Sequence, residues 1–327
     1  MTTGITDINA CRYSRKNGMY GGIAGQKDGI IYDGEMWLVK YPKNIAGLNR
    51  TGEATYSTSP LCEYIGSNIF RILGYDVHET FLGERHGRIV VACRDFATED
   101  DLIEIRTIKN HATEELSEML EKTLSSTGSS HIVDLDEILL HLEMNPILRN
   151  VDGITERFWE QAVVDIFINN NDRNNGNWGI LRDKDGNDRL APVFDNGGCL
   201  QTKISEGKIK RLLEDTETLS VNACNTQTIY GIKGHAISSA RFLEQYYEHE
   251  ELANAIMRLT PAIHERMDKI NDFIRNIPET YRGADGKEYV VCSPERKKLY
   301  LLQMQSRLEN LLCPFYTRIM DNRKHII

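Results

Sequence analysis

The most informative stretch of the sequence is an asparagine-rich loop, INNNDRNNGNWGIL, which runs from Ile168 to Leu181. Its single carboxylate, Asp172, is followed by Asn177 in a D-x4-N spacing. A carboxylate can orient or deprotonate a hydroxyl group, and an amide oxygen slightly further along the same loop can ligate Mg²⁺. The pair suits phosphoryl transfer, although this spacing is too common to decide the matter alone.

A second carboxylate, Asp195, stands in LAPVFDNGG, where a strand-like run enters a glycine-containing turn. An aspartate in that position can chelate Mg²⁺, although Asp-Asn-Gly also forms ordinary Asx turns. Residues 178–194 indicate a β-hairpin whose turn is RDKDGNDR. Pairing of its two strands would place Asn177 and Asp195 side by side, so we expect both to be metal ligands.

Residues that could hold phosphate groups lie earlier in the chain. Lys40 closes the strand-like EMWLVKYP, and Glu63 lies in the helix-like SPLCEYIGSNIFRILG. A strand lysine can bind phosphates while a helix glutamate orients it, and the glycine-rich NGMYGGIAGQKDG could present backbone N–H groups to phosphate oxygens. Singly, a solvent-facing lysine, a surface glutamate and a hairpin turn are the commoner interpretations. Their order along the chain, followed by the loop and hairpin, favours phosphoryl transfer.

The hydrophobic pattern indicates the helices and strands that would position these residues. Residues 12–95 indicate two hairpins, turning at Asp33-Gly34 and near Glu84–Gly87, with one helix between them that has Pro60 in its first turn. After Phe96, helical periodicity dominates, including a buried helix over 156–168 and a long last helix over 294–312. We predict an α+β chain with a β-rich domain, residues 1–95, and a larger helical domain, residues 96–327.

The composition argues against several classes of function. The chain has 327 residues, 40% of them hydrophobic, and a net charge of −9. This acidity argues against non-specific binding to nucleic acid or to an anionic membrane. Seven scattered cysteines without a CxxC pair indicate reduced thiols rather than a zinc site or a disulfide framework. Without a Sec-type signal or a transmembrane run we expect a cytoplasmic protein; non-classical export leaves no signature in the sequence.

At these motifs the sequence resembles the HipA-like kinases. GGIAGQK resembles the phosphate-loop motif of that family, EMWLVKYP its lysine strand, VVACRDF the strand that leads to its hinge, FINNNDRNNGN its catalytic loop and LAPVFDNGG its metal segment. The likeness covers roughly residues 18–200. It implies a bilobal protein-kinase-like fold with a small β-rich N-lobe and a larger, mainly helical C-lobe, and it implies ATP and Mg²⁺ as cofactors.

The resemblance also implies a role for each matching residue. Asp172 would be the catalytic base, and Asn177 and Asp195 would bind Mg²⁺. The nucleotide would be contacted by residues from the phosphate loop, the lysine strand and its partner helix, and the hinge: Gly22, Gly25, Lys27, Lys40, Glu63, Cys93 and Asp95.

The loop departs from the family pattern in one respect. Relatives commonly have D-R-H-x-K-N, whereas this chain has DRNNGN, with Asn174 and Gly176 in place of the histidine and lysine. A basic group near the transferred phosphoryl group is therefore missing, so that either Arg173 or another residue substitutes for it or the rate is low.

We expect a serine/threonine protein kinase whose acceptor is an unknown protein or the chain itself, with Ser14 or the serines at 125–130 as autophosphorylation sites. The alternatives are a small-molecule or lipid kinase of the same fold, a nucleotide-binding pseudokinase, and an adaptor without a nucleotide site.

Overall fold

The computed structural model describes residues 4–20, 26–46, 56–123, 132–232 and 234–324. The chain forms two compact units. The first comprises Met1–Thr98, Pro192–Ser220 and Arg266–Met304, and the second comprises Glu99–Ala191, Val221–Glu265 and Gln305–Ile327. The boundary predicted after residue 95 lies close to the end of the first of these segments, and the division into domains at that point stays a prediction.

A five-stranded sheet dominates the N-terminal segment. Its strands and the helix between them are β1 (Thr6–Asp7), β2 (Lys27–Tyr32), β3 (Glu35–Lys40), α1 (Ser59–Ile72), β4 (Thr80–Arg85) and β5 (Arg88–Arg94). The strand order is β1-β4-β5-β3-β2, with β1 parallel to β4 and the other pairs antiparallel. Both predicted hairpins are confirmed, and Asp33-Gly34 and His86-Gly87 form their turns with positive φ.

Helix α1 is confirmed as well, with Pro60 in its first turn and Gly74, at φ 95°, directly after its C-cap residue Leu73. The helix is buried on nearly every face, polar positions included: Glu63 and Ser67 are as inaccessible as the leucines and isoleucines around them. Polar side chains at such depth need hydrogen-bond partners. Those partners define the candidate site.

The segment from 99 to 191 alternates short strands and helices. Its elements are β6 (Asp101–Glu104), α2 (Ile105–Ile108), α3 (Glu114–Thr123), β7 (Val133–Asp134), α4 (Leu135–Met144), a 3₁₀ turn (Leu148–Asn150), α5 (Ile154–Ile168), β8 (Gly179–Arg182) and β9 (Asp188–Leu190). The predicted hairpin is confirmed as β8 and β9. The pairing of β6 with β8 was not predicted, because a four-residue strand with two charged ends carries no clear pattern.

The remaining chain is mainly helical, as predicted. It contains α6 (Glu206–Glu214), α7 (Thr216–Cys224), β10 (Gln227–Ile232), β11 (His235–Ser238), α8 (Ser239–Tyr246), α9 (Glu250–Arg275), β12 (Thr280–Arg282), β13 (Glu288–Val290), α10 (Pro294–Arg307), a π-helical turn (Leu308–Leu312) and α11 (Cys313–Lys324). Two small sheets, β11-β10-β7 and β12-β13, were not predicted. Among the helices described, none has both the length and the apolar character needed to cross a membrane.

Helix α5 forms the centre of the second unit. The Phe158 ring lies 5.1 Å from Trp159, 5.5 Å from Trp178 and 5.5 Å from Tyr230, centroid to centroid. The helix ends at Asn169, which adopts the left-handed conformation (φ 52°) that often terminates helices. A buried, well-packed helix therefore delivers the chain into the asparagine-rich loop. None of the seven cysteines, all of which lie in the described part of the chain, forms a disulfide bond.

Candidate active site

Three of the predicted residues meet in the first unit. Lys40 Nζ donates to Glu63 Oε2 at 2.8 Å and to Asp195 Oδ1 at 2.9 Å. The Glu63 side chain is 1% exposed, whereas that of Asp195 is 42% exposed. The lysine thus bridges one buried carboxylate, which holds it, and one carboxylate that stays open to solvent or ligand.

The local structure explains how these side chains come together. Lys40 is the last residue of β3, and Glu63 lies near the start of α1. Asp195 is placed by the chain just before it, because Val193 forms a parallel bridge with Val77 and accepts a hydrogen bond from the His78 N–H at 3.0 Å. The segment that carries Asp195 is therefore an added strand-like partner of the chain leading into β4.

Glu63 also organises residues that the sequence did not single out. Its Oε1 accepts hydrogen bonds from the Asn196 backbone N–H at 2.8 Å and from His78 Nε2 at 3.0 Å. Asn196 Nδ2 in turn donates to Ser67 Oγ at 2.9 Å. Nothing in the sequence indicates these contacts, since Asn196 stands in a turn-like Asp-Asn-Gly-Gly and His78 in a strand-like run.

A glycine allows this close approach. A Cβ atom at Gly66 would lie 2.8 Å from Asn196 Cβ and 3.1 Å from Cys199 Sγ. A Cβ atom essentially never lies as close as 2.8 Å to another carbon, so a larger residue here would push the segment after Asp195 away from α1. The spacing of Glu63, Gly66 and Ser67 on one helix is therefore part of the site.

The charges of this cluster shift one another. Burial alone would raise the pKa of Glu63, but Lys40 and the hydrogen bond from His78 outweigh it, so that pKa lies well below its ordinary value. Burial would likewise lower the pKa of Lys40, yet Asp195 and Glu63 hold it well above its ordinary value. The pair is ionised across the physiological range. Breaking a buried pair on one side typically costs about 3–5 kcal/mol.

The other predicted nucleotide contacts are placed as follows. Lys27 pairs directly opposite Lys40 in the β2–β3 ladder, and its pKa is lowered by burial and by the charge of Lys40. Two lysines facing each other favour a neighbouring anion. Cys93 lies buried in β5, and the Asp95 N–H donates to the Met36 carbonyl at 2.9 Å. Gly22 and Gly25 lie outside the described residues.

The catalytic-loop candidates lie in the second unit. Asp172 is exposed, and its backbone N–H donates to Asn170 Oδ1 at 3.2 Å. Asn174 Nδ2 donates to Asp172 Oδ1 at 3.1 Å, and Asn177 Nδ2 donates to the Asp172 carbonyl oxygen. These asparagines therefore have a structural role, because they fix the path of the loop and the orientation of its carboxylate.

Arg173 anchors this loop from beneath. Its guanidinium donates to Asp165 Oδ2 through Nε at 2.9 Å and to Asp165 Oδ1 through Nη2 at 3.0 Å, while Nη1 donates to the Asn177 carbonyl at 3.0 Å. Arg173 is 2% exposed. An arginine with this bidentate partner is a structural clamp. It does not replace the basic group that the loop lacks.

The two predicted metal ligands each carry an oxygen atom that could contact a magnesium ion. Mg²⁺ prefers carboxylate and amide oxygens, which Asp195 and Asn177 supply. The bond from Asn177 Nδ2 to the Asp172 carbonyl fixes the amide so that Oδ1 is the end left for a cation. The expected proximity of Asn177 and Asp195 stays a prediction.

Another group of metal-ligand types lies beside Lys40, but it is poorly suited to a cation. Glu63, His78 and Cys93 place ligand atoms within 4.8 Å of one another. Glu63 is already paired with Lys40, and burial raises the pKa of the Cys93 thiol far above its ordinary value. A metal ion there would displace the lysine, so these residues are better explained as the support of the ion pair.

Comparison with known proteins decides the family. No protein-family model matches the sequence. The chain is 30% identical to the serine/threonine-protein kinase CtkA of Helicobacter pylori over 302 residues, which cover 91% of this chain and 86% of that protein. The chain belongs to the family of the serine/threonine-protein kinase CtkA.

Solved structures agree with this assignment. The crystal structure of the H. pylori proinflammatory kinase CtkA superposes with a TM-score of 0.78 at 26% identity, covering 97% of this chain and 99% of that one. HipA of Shewanella oneidensis MR-1, in its complex with HipB and operator DNA, gives a TM-score of 0.53 at 13% identity over 92% of this chain and 67% of HipA. The second likeness shows the fold alone. The predicted α+β, HipA-like fold class is confirmed.

The depressed pKa of Glu63 predicts a specific pH dependence of stability. The unfolded chain takes up a proton at Glu63 near the ordinary value of 4.5, whereas the folded chain does not. This carboxylate therefore contributes stability that is present above that pH and is lost as the pH falls through the folded pKa. On the acid side, the free energy of unfolding of the wild type in urea should fall with pH more steeply than that of Glu63→Gln, by up to about 1.4 kcal/mol per pH unit. Parallel curves for the variant and the wild type would contradict this, and Glu79→Gln, in an exposed pair with Arg94, controls for the lost charge.

The clamp beneath the loop predicts a large effect on stability. Asp165→Ala leaves the Arg173 guanidinium buried without its carboxylate, which should cost about 3–5 kcal/mol of unfolding free energy. Asp100→Ala is the matched control, because Asp100 pairs with Arg189, an arginine whose side chain is 57% exposed. That substitution should cost about 1 kcal/mol at most. Equal losses in urea unfolding would show that Arg173 is not clamped.

Proposed function

We propose that this chain is an ATP- and Mg²⁺-dependent protein kinase that transfers the γ-phosphoryl group to a serine or threonine hydroxyl. The contact of Lys40 with Glu63 and Asp195 is the observation that carries the proposal. A lysine held by a buried glutamate and facing an open carboxylate is the arrangement that phosphate binding requires, since the glutamate fixes the cation without hiding it.

In this proposal Lys40 binds phosphate oxygens of ATP, with Lys27 beside it and Gly22 and Gly25 in the phosphate loop. Cys93 and Asp95 mark the backbone that receives adenine. The support comes from the cross-strand pair of lysines, which concentrates positive charge at the end of β3. These roles follow from the resemblance to HipA-like kinases together with that geometry.

Asp172 acts on the acceptor. It accepts the proton of the serine or threonine hydroxyl while the hydroxyl oxygen forms a bond to the γ-phosphorus; the bond from that phosphorus to the β–γ bridging oxygen breaks, and ADP leaves with the electron pair. The loop contacts of Asn174 and Asn170 hold the carboxylate for this step. Positioning and charge neutralisation carry the catalysis.

Asn177 and Asp195 are the proposed ligands of the metal ion. When bound, Mg²⁺ would neutralise charge on the phosphate oxygens. Asp195 then has two tasks, as a ligand and as a partner of Lys40. Its solvent-exposed side chain, 42% accessible, supports the first of them.

The acceptor is a protein, and the chain itself is one candidate. Ser14 is a poor acceptor in this conformation, because it is 7% exposed and its backbone N–H is tied to the Gly29 carbonyl. The serines at 125–130 lie outside the described residues. Autophosphorylation is therefore proposed without a site.

The proposal predicts loss of phosphoryl transfer in two single variants. With γ-labelled ATP and Mg²⁺, and with dephosphorylated casein added as an acceptor, Asp172→Ala and Asp195→Ala should each reduce label in casein and in the chain by ~10²–10⁴-fold. Asp185→Ala, at the exposed tip of the β8–β9 hairpin, is the matched control and should label normally. Labelling by Asp172→Ala at the wild-type rate would remove Asp172 from its role, and no label in the wild-type protein would refute the activity itself.

A further inference from the structure

A cavity of about 520 Å³ opens beside the candidate base in the second unit. Asp172, Asn175 and Gly176 line one side of it, and Arg106 and Lys109 line another. Asn175 Oδ1 is buried and has no hydrogen-bond partner in the described part of the chain. The cavity thus contains the proposed catalytic carboxylate and the amide oxygen of Asn175. It is suited to bind the polar backbone next to the hydroxyl group that receives the phosphoryl group.

Arg106 occupies a particular place in this cavity. A Cβ atom at Gly176 would lie 2.8 Å from Arg106 Nη2 and 3.0 Å from its Cζ. The guanidinium therefore fills the space where any side chain at position 176 would begin, between Asp172 and Asn177 in the loop. The backbone reinforces the contact, since the Arg106 N–H donates to the Asn175 carbonyl at 2.7 Å.

The neighbouring cations are engaged elsewhere. Arg173 is buried against Asp165, and Lys109 Nζ lies 2.6 Å from Glu137 Oε1 in a partly buried pair. Arg106 is different, because its side chain is 66% exposed and its carboxylate partner, Glu104, is itself partly exposed. Exposed ion pairs of this kind contribute little to stability, so the guanidinium can exchange Glu104 for another anion.

We propose that Arg106 contacts the phosphoryl group during its transfer and supplies the positive charge that the loop itself lacks. The inference rests on the proposed kinase activity. The transferring group spreads negative charge over its equatorial oxygens, and an arginine brought to it from the same chain stabilises that charge. Gly176 belongs to this arrangement, because a glycine at this position leaves room for an arginine from α2.

The test begins with Arg106→Ala, assayed with γ-labelled ATP, Mg²⁺ and dephosphorylated casein. We expect kcat to fall by ~10²–10³-fold with KM for ATP within about threefold of the wild-type value, because the contact is made in the transition state. Arg106→Lys should recover part of the loss. The loop should keep its position in the alanine variant, since the bond from residue 106 to the Asn175 carbonyl uses the backbone.

A second substitution separates catalysis from folding. Gly176 does not adopt a left-handed φ, and Arg106→Ala removes the two nearest atoms that a side chain there would meet, which leaves Asn174 Oδ1 at 3.2 Å from its Cβ. Adding Gly176→Lys to Arg106→Ala therefore returns a cation to the same space, and kcat should rise at least tenfold over the single variant. Arg189→Ala, which breaks another exposed arginine–carboxylate pair of the second unit, should leave kcat unchanged.

Each outcome distinguishes the two proposals. If wild-type protein labels neither casein nor itself, the kinase activity fails. If the wild type labels, Asp172→Ala does not, and Arg106→Ala labels normally, only the role of Arg106 is overturned. A fall in kcat that neither Arg106→Lys nor the added Gly176→Lys rescues also overturns it, because a merely structural arginine would behave in that way.

Discussion

A buried carboxylate needs a cation and hydrogen-bond donors as partners. Glu63 is such a carboxylate, and its partners come from several parts of the first unit. Lys40 on β3 supplies the cation, and His78 and the backbone of Asn196 supply donors. These groups come from three separate stretches of the chain, so one buried charge ties the sheet, helix α1 and the segment after the β8–β9 hairpin together. The position of Asp195 is a consequence of this network, since its neighbour Asn196 is held on the same glutamate.

The second unit solves the corresponding problem with the charges reversed. There Arg173 is a buried cation, and it donates two hydrogen bonds to the carboxylate of Asp165 in α5. The clamp fixes a loop that has no regular secondary structure, and it leaves Asp172 exposed at the surface of that loop. In both units a buried ion pair provides the rigidity, and the residue proposed to do the chemistry stands next to it with its carboxylate accessible.

The sequence predicted those features that depend on local chemistry. Asp-Gly turns, Pro60 at a helix start and the apolar stripe of α5 predicted hairpins and helices that the structure contains. Lys40, Glu63 and Asp195 could be selected because each stands at a recognisable place on its element. Residues contributed by elements distant in the sequence could not be selected in this way. Arg106 is an example, because its contact with Gly176 depends on how β6 and α2 pack against the loop. The short strands β6, β12 and β13 were missed because three or four positions are too few to show a period, whereas β8 and β9 were found from the Asp-Gly turn between them.

We propose that the Lys40–Glu63–Asp195 cluster binds the phosphates of a nucleotide. A crystal structure of the chain with a non-hydrolysable ATP analogue and Mn²⁺, whose anomalous signal locates the metal, tests this most directly. We expect that Lys40 keeps its bond to Glu63, that its Nζ lies within hydrogen-bond distance of a phosphate oxygen, and that an Asp195 oxygen coordinates Mn²⁺. Nucleotide density elsewhere, with no phosphate oxygen near Lys40 and no metal on Asp195, would contradict it.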